Sequence, residues 1–482
     1  MRLLLVFGVV GQLLRVFSAA FVPPLLLALL DRQWWSAAYF AVALLASLLA
    51  GSVASKGLPK KPVFRRSEAL AVVAFTWLSI AAFAAIPYLF SGLAPVDALF
   101  ESMSGLTTTG ATVLTDFTQY SRSFFLWRAM TQWFGGLGVI ALFVVVLPRL
   151  GIAGRQLFFA EASGAPSEAV SPKVRHGAQR LWILYSLLTA LLAGLLMGAG
   201  FPVYEAILHS LTTMPAGGFS PHGSSIAGYA NPTAEWVLVA FMVLAGTSFP
   251  LQYKVFTGRL LGFFRDGEFM FYLGFMGFGA LGVAFVLAGG LPDLNQLRLG
   301  AFQAASLISS TGFANTDYDA WPDAAKALLV VVMVVGGCAG SAAGGQKSVR
   351  LLLVAKHAVR EITRVLHPRA VLPLRYKRHP IPDDIMRAVF LLVGLFMLGY
   401  FAVGTLLVLL GADLVTGYSA ALACLGNIGP AFGPAGPMGS YAAFPVSSKL
   451  VLIAAMWAGR LEIVTVLALL HRDVWRNIRL RG

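Results

Sequence analysis

Charged residues are scarce in this sequence. Asp, Glu, Lys and Arg together make up 12% of the 482 residues, whereas 58% are hydrophobic and the mean hydropathy is +0.78. Because a soluble globular domain carries about 25% charged residues, this composition excludes a soluble globule and indicates a protein of the lipid bilayer. A membrane span needs about 20 mostly apolar residues. The sequence predicts ten spans, at residues 3–30, 34–54, 69–91, 123–148, 180–200, 233–253, 268–290, 324–354, 385–411 and 447–470.

Cysteine is almost absent, since Cys338 and Cys424 are the only two. Both lie in apolar surroundings, which excludes a disulfide framework and a cysteine-based metal site. The sequence also shows no cluster of His, Asp, Ser or Cys suited to acid–base or nucleophilic chemistry. We therefore predict that the protein is not an enzyme and has no covalently bound cofactor.

Lys and Arg are missing from two long stretches, 201–232 and 411–446, and are concentrated in alternate loops elsewhere. Basic loops face the cytoplasm in membrane proteins, so both termini are predicted to be cytoplasmic. The net charge is +15, but the basic residues are not gathered along one soluble face. Nucleic acid is therefore not predicted as a partner.

A stretch of small and hydroxyl residues that ends on a glycine occurs four times, each time between two apolar runs. The four turn glycines are Gly110 in SGLTTTGAT, Gly218 in HSLTTMPAGGFS, Gly312 in LISSTGFAN and Gly429 in CLGNIGPAF. Their spacing of 94 to 117 residues indicates four tandem repeats. Four such turns around one axis are able to form a ring of backbone carbonyls that replaces the water around a cation. Close packing between membrane helices is the alternative for any single turn.

Acidic residues precede the turns. Asp97 and Glu205 stand thirteen residues before their turn glycines, near predicted helix starts, where a carboxylate complements the positive helix end. Leu299 and Thr416 hold that place in the last two repeats, and Asp413 is expected to take the acidic role in the fourth. The negative end of each short helix then points at the turn, which favours cations.

Four further acids lie near the outer ends of the turns. They are candidates for concentrating cations at an entrance, and solvated or capping acids are the alternative. These residues are Glu101, Asp116, Asp317 and Asp319.

The turn motifs resemble those of the Trk/Ktr/HKT superfamily of cation transporters. The similarity lies in TTTGAT, the GGFS after Met214, SSTGFAN and NIGPAFG, together with GGCAGSAAGG in the third repeat and AGRLEI in the last. Two extra N-terminal spans make the chain similar to the TrkH branch, the potassium-uptake membrane subunit of bacteria. The resemblance implies an all-α membrane protein in which four helix–pore loop–helix repeats surround one pore in pseudo-fourfold arrangement, with two extra helices before them.

The resemblance also implies that potassium is the transported ion and that the turns form its selectivity filter. One core glycine in each turn implies looser discrimination between K⁺ and Na⁺ than in potassium channels, and Pro215 is an unusual residue before the second turn. Symport of K⁺ with H⁺ or Na⁺ remains the alternative. The predicted potassium-binding residues are Thr108, Thr109, Gly110, Ala216, Gly217, Gly218, Ser310, Thr311, Gly312, Asn427, Ile428 and Gly429.

The apolar run 324–354 contains a series of glycines and other small residues that is expected to unwind its helix. The resemblance makes this segment a gating loop beneath the filter. Gly340, Gly345 and Lys347 look like the start of a phosphate loop, but Gln346 disturbs the spacing and no strand precedes it. Nucleotide binding by this chain is therefore not predicted. The predicted gate residues are Gly336, Gly337, Cys338, Ala339, Gly340, Ser341, Gly344, Gly345 and Arg460.

Arg460 lies inside the last apolar run, two residues before Glu462. A charge within a span usually faces a cavity or a partner, and the resemblance places Arg460 near the pore as an electrostatic barrier. An ion pair with Glu462, or a side chain that reaches the membrane surface, is the alternative.

The basic segment that follows the gating loop has two interpretations. It is suited to anionic lipid, whereas the resemblance implies that it docks a cytosolic ring of RCK-type subunits similar to TrkA. Such subunits would carry the nucleotide (ATP, ADP or NAD), and the membrane subunit would be a homodimer in the bacterial inner membrane.

The predicted organisation follows from the repeats. It comprises two N-terminal transmembrane helices at 1–66, repeat 1 at 67–150, a cytoplasmic connection at 151–179, repeat 2 at 180–265, repeat 3 at 266–355, a basic cytoplasmic segment at 356–382 and repeat 4 at 383–482.

Overall fold

The computed structural model describes residues 1–59, 64–141, 172–258, 260–370, 372–377 and 379–476. Helices occupy most of this part of the chain, and its two strands, β1 (Arg375–Tyr376) and β2 (His379–Pro380), form one short antiparallel hairpin. The predicted all-α class is confirmed.

Two helical segments precede the first repeat. Helix α1 (Leu3–Phe17) leads through a 3₁₀ turn into α2 (Val22–Leu30), and α3 (Trp34–Ala54) returns beside them. Gly11 and Gly51 allow α1 and α3 to approach closely, because a Cβ on Gly51 would collide with the backbone of α1. Small residues at such contacts are typical of helix pairs in membranes.

Each repeat contains an outer helix, a short helix that leads into the turn, and a second helix. The outer helices are α4 (Arg66–Ala84) with α5 (Ile86–Phe90), α8 (Pro172–Gly198), α12 (Gly267–Ala288) and α16 (Asp383–Leu409). The short helices are α6 (Pro95–Leu106), α9 (Val203–Thr213), α13 (Leu294–Ile308) and α17 (Leu414–Leu425). The second helices are α7 (Arg122–Ala141), α10 (Pro232–Ala245) with α11 (Phe249–Phe256), α14 (Asp323–Val335) with α15 (Ser348–Leu366), and α18 (Val446–Arg460) with α19 (Ile463–Leu470), after which α20 (Arg472–Trp475) follows.

Among the described residues, six helical stretches are long and apolar enough to cross a membrane, or eight if each of two bent pairs counts as one span. The prediction of ten continuous spans is therefore wrong for the described residues. The runs 233–253 and 447–470 each bend by 108°, and 324–354 is interrupted between α14 and α15. The second helices of three repeats are thus broken, whereas the sequence predicts a break only in the third repeat. The run 123–148 is described only as far as Ala141.

Two predicted boundaries fall several residues inside helices. Helix α8 begins at Pro172, so the end of the connection predicted at 151–179 belongs to repeat 2, and the rest of that connection lies outside the described residues. Helix α15 continues to Leu366 across the boundary predicted at 356. The first residues of the predicted basic segment, from 356 to 366, therefore belong to the last helix of the third repeat.

The short helices form the centre of the molecule. Most residues of α17 and the C-terminal half of α6 are buried, whereas the outer helices expose large apolar side chains such as Phe278 and Leu398. The short helices contain 11 to 15 residues, which at about 1.5 Å per residue is too short to cross a bilayer. Each one enters the protein and ends at a turn near its centre.

Candidate functional site

The four turns share one backbone conformation. The residue two positions before each turn glycine has φ between 52° and 57°, and the glycine itself has φ between 74° and 101°. The residue between them donates its N–H to the carbonyl five residues earlier over 2.7–2.9 Å. The first positions are Thr108, Ala216, Ser310 and Asn427, and the middle positions are Thr109, Gly217, Thr311 and Ile428. A non-glycine residue in the left-handed region is strained and persists only where its surroundings fix it.

The turns close into a ring. A Cβ built on each turn glycine would collide with the carbonyl oxygen of the middle residue in the next turn, so only glycine has room there. The contacts run from Gly110 to Gly217, from Gly218 to Thr311, from Gly312 to Ile428 and from Gly429 back to Thr109. We call the carbonyls of these four middle residues the ring carbonyls. All four turn glycines also line a single outer opening.

Pro215 removes one N–H from the second turn. At the matching positions Thr107, Ser309 and Gly426 donate to the carbonyl four residues earlier. Pro215 instead packs against Gly136 of α7. The hydrogen bonds that follow it match those of the other turns, so the turn keeps its conformation with one hydrogen bond fewer.

An acidic residue stands at the start of every short helix. Asp97 and Glu205 lie in the first turns of α6 and α9, while Asp293 and Asp413 cap α13 and α17. The sequence indicates three of these acids but not Asp293. Asp293 lies farther from its turn glycine than the thirteen residues that separate Asp97 and Glu205 from theirs. The four helices therefore point their partially negative C-terminal ends at the ring.

A buried ion pair supports the first two turns from the outer side. Arg128 on α7 bonds Glu101 on α6 at 2.7 Å, and the two side chains are 2% and 0% exposed. Arg128 also donates to the Ser220 carbonyl at 3.0 Å, and Glu101 accepts from the Val113 N–H at 3.0 Å. Glu101 is therefore a buried structural anchor: the predicted solvated acid is wrong, and its charge is paired with Arg128 instead of facing an entrance. Of the predicted alternatives, only a capping role agrees with its bond to the Val113 N–H.

The small-residue segment 336–345 is not helical, and it touches the ring from the inner side. The N–H of Gly344 donates to the Ser310 hydroxyl at 2.6 Å, and the Gly344 Cα lies against the Gly426 carbonyl. The segment is also bound to the break between α10 and α11, where Cys338 donates to the Gly246 carbonyl at 2.8 Å. It thus lies between the second, third and fourth repeats, directly beside two turns.

The remaining predicted gate residues complete this segment. The Gly340 carbonyl accepts from the Phe249 N–H at 3.0 Å, and the Ala339 N–H donates to Glu268 at 2.5 Å. Ser341 donates its hydroxyl back to the Cys338 carbonyl. Further residues that shape the segment are Gly336 and Gly337, whose carbonyls accept from Ser348, and Gly345, which has a φ of 74°.

Arg460 ends α18 beside this segment. Its Nη1 donates to the Ala342 carbonyl at 2.8 Å, and the residue is 6% exposed. Arg460 lines an inner cavity together with Asn427 of the fourth turn and Lys347. The alternative of an ion pair with Glu462 is not observed among the described residues, because Glu462 bonds Arg350 at 2.6 Å.

Two side chains near the ring were not identified from the sequence. Gln132 donates to the Gly217 carbonyl at 2.7 Å, and Tyr441 donates to the Gly429 carbonyl at 2.8 Å. Gln132 gave a weak signal as an amide within an apolar run. Tyr441 follows its turn by twelve residues and gave none.

Known proteins resemble this chain over almost its entire length. The family model TrkH, described as a cation transport protein, matches residues 46–473. The chain belongs to the TrkH family. The Trk system potassium uptake protein TrkH of Halomonas elongata is 35% identical over 99% of this chain and 100% of its own length. The protein of the same description from Escherichia coli strain K12 is 32% identical over 97% of this chain and 98% of its own.

A solved structure agrees with this assignment. The crystal structure of the potassium transporter TrkH from Vibrio parahaemolyticus superposes with a TM-score of 0.90 at 30% identity, covering 99% of this chain and 100% of that one. TrkH membership confirms the predicted branch of the superfamily. The chain is therefore a multi-pass membrane protein of the transport class and not an enzyme.

Proposed function

We propose that this TrkH-family chain takes up potassium through its ring of carbonyls. The observation that carries the proposal is the closure of the ring, in which each turn touches the next and the fourth touches the first. Carbonyl oxygens that surround an axis are able to replace the hydration shell of a cation. The potassium-binding residues are then the twelve residues of the turns, from Thr108 to Gly110 and their counterparts. Relatives of this chain are named potassium uptake proteins.

The inner segment 336–345 and Arg460 act in this proposal as the gate. The segment lies against the third and fourth turns, and Arg460 places a guanidinium in the cavity below them. A positive charge repels a cation that leaves the ring, while the segment obstructs its path. Opening then requires both to move away from the axis.

A cytosolic RCK-type subunit similar to TrkA is the proposed regulator, and it is this subunit that binds the nucleotide. Helix α15 supports the idea, because Val359, Ile362 and Val365 are exposed beside the basic Arg360 and Arg364. The same surface is suited to anionic lipid. We further propose a homodimer in the bacterial inner membrane with both termini in the cytoplasm, as the basic loops favour.

The central experiment measures potassium flux into proteoliposomes, in competition with sodium. Gly218→Ala places a Cβ on a ring carbonyl, and it is expected to abolish flux. Gly92→Ala is the matched control, because Gly92 has a φ of 102° but nothing within 4 Å of an added Cβ. Loss of flux in both variants, or in neither, would contradict the role of the ring.

The same vesicles distinguish conduction from symport. An imposed pH or sodium gradient is expected to leave potassium flux unchanged beyond its effect on voltage, whereas a coupled symporter would accumulate potassium against its own gradient. For regulation, a ring subunit that co-purifies with the chain is expected to make flux depend on ATP, ADP or NAD. If flux does not change with these nucleotides while the subunit is bound, the regulatory proposal is contradicted.

A further inference from the structure

Gln132 is a buried amide whose two ends both bind the second turn. The side chain lies on α7 and is 0% exposed. Its Nε2 donates to the Gly217 carbonyl at 2.7 Å, and its Oε1 accepts from the Phe219 N–H at 3.1 Å. The amide therefore bridges the two residues that flank Gly218 and fixes the orientation of a ring carbonyl.

The other repeats carry methionine at the matching position. The segments TQWFGG, FMVLAG, VMVVGG and AMWAGR align, so that Gln132 corresponds to Met242, Met333 and Met456. The structure supports the alignment of the first and last repeats, because a Cβ on Gly135 or Gly459 would meet the carbonyl four residues before its own turn glycine.

One ring carbonyl thus differs from the other three. Within the described part of the chain, the carbonyls of Thr109, Thr311 and Ile428 accept no side-chain amide, whereas that of Gly217 does. A carbonyl oxygen has two lone pairs, and the donor occupies one of them. The partial positive charge of the amide N–H also lowers the electrostatic field that this carbonyl directs at the axis.

We propose that Gln132 is a positioning residue that sets cation discrimination through the second turn, an inference that rests on the proposed function. It holds one of four ring oxygens at a fixed distance from the axis and weakens its field. Sodium needs a stronger field and a shorter distance than potassium to offset the loss of its tighter hydration shell. A fixed, weakened oxygen therefore disfavours sodium more than potassium.

The test replaces the amide by the residue of the other repeats. Gln132→Met and Gln132→Leu are expected to lower the preference for potassium over sodium roughly two- to tenfold, the range of a single net hydrogen bond. The readout is potassium flux in proteoliposomes at several sodium concentrations. Gln303→Met is the matched control, because Gln303 is also a fully buried amide but donates to Asn315 and not to a ring carbonyl.

A binding measurement accompanies the flux. The melting temperature in detergent is compared in potassium and in sodium, and the difference between the two salts is expected to shrink in Gln132→Met and to persist in Gln303→Met. An unchanged flux preference, or an unchanged difference between the salts in folded Gln132→Met, would overturn the inference. Absence of potassium flux in the unsubstituted protein would instead overturn the proposed function.

Discussion

The outer side of the ring pairs its cations with carboxylates, whereas the inner side holds Arg460, which bonds no carboxylate among the described residues. On the outer side Arg128, Arg298 and Lys449 each bond a carboxylate at 2.6–2.7 Å. On the inner side Arg460 gives one nitrogen to the Ala342 carbonyl, while its Nε and Nη2 have no partner among the described residues. A cation paired with a carboxylate links two structural elements, and the carboxylate cancels most of its electrostatic field. A cation without an anionic partner keeps its electrostatic field, which then acts on an ion that enters the cavity.

The difference separates structural charges from functional ones. Removing one partner of a buried pair leaves the other charge uncompensated, which destabilises a protein by about 3–5 kcal/mol. Removing a buried cation that has no anionic partner leaves no such charge behind. Stability should therefore depend most on an outer cation whose carboxylate is itself buried, such as Arg128, and transport on Arg460.

The largest expected effect is on the outer side. Arg128→Ala leaves Glu101 buried without its cation, and the free energy of unfolding should fall by about 3–5 kcal/mol, as measured by denaturation in detergent. Arg122→Ala is the control, because Arg122 is 54% exposed in its pair with Asp31 and should lose less than about 1 kcal/mol.

A double variant sharpens the Arg128 result. Glu101→Gln combined with Arg128→Met removes both charges and should recover part of the lost stability. If the double variant is as unstable as Arg128→Ala, the loss comes from packing, and the outer ion pair does not have the role assigned to it.

The next effect is on the inner side. Arg460→Ala should raise cation flux in proteoliposomes on the order of tenfold, since a unit charge about 10 Å away at an effective dielectric constant near 20 contributes about 1.7 kcal/mol. Arg460→Lys keeps the charge and should keep the low flux. Unchanged flux and gating in Arg460→Ala would remove this residue from the mechanism.

The smallest effect tests the partly exposed pair of Lys449 and Asp97. The Lys449 side chain is 6% exposed and that of Asp97 is 25% exposed. Lys449→Met leaves a carboxylate that water still reaches and should cost less than about 1 kcal/mol, whereas Asp97→Asn strands a buried ammonium and should cost more. Thermal unfolding of the two variants gives the order, and the reverse order would refute this account of the outer side.

The turns could be predicted from the sequence because glycine is the residue that their conformation requires, and it recurs at matched places. Gly110 and its counterparts have positive φ and face a carbonyl from the next turn, and no other residue type meets both demands. The acids near the helix starts were recognisable for a similar reason, since Asp413 accepts from the Thr416 N–H only three residues away.

The helix breaks and the outer ion pairs depend on partners that are distant in sequence. The run through Gly246 is apolar on both sides of its bend, but the bend itself contains Thr247, Ser248 and Pro250. The Gly246 carbonyl there accepts from the N–H of Cys338. Likewise, the sequence does not reveal that Glu101 is paired, because its partner Arg128 lies on another helix, 27 residues later. The contact between Glu101 and Arg128 leaves no periodic or compositional trace in either segment, whereas Thr247, Ser248 and Pro250 do signal the bend.

The cyclic contact of the four turns has a consequence for how such a protein changes over time. In an assembly of identical subunits, one mutation alters four symmetric places at once. Here a single polypeptide supplies all four repeats, and each repeat can change alone. Gln132 in the first repeat and methionine at the matching position of the other three are an example. Under the proposed function, ion preference is therefore open to adjustment in small, asymmetric increments.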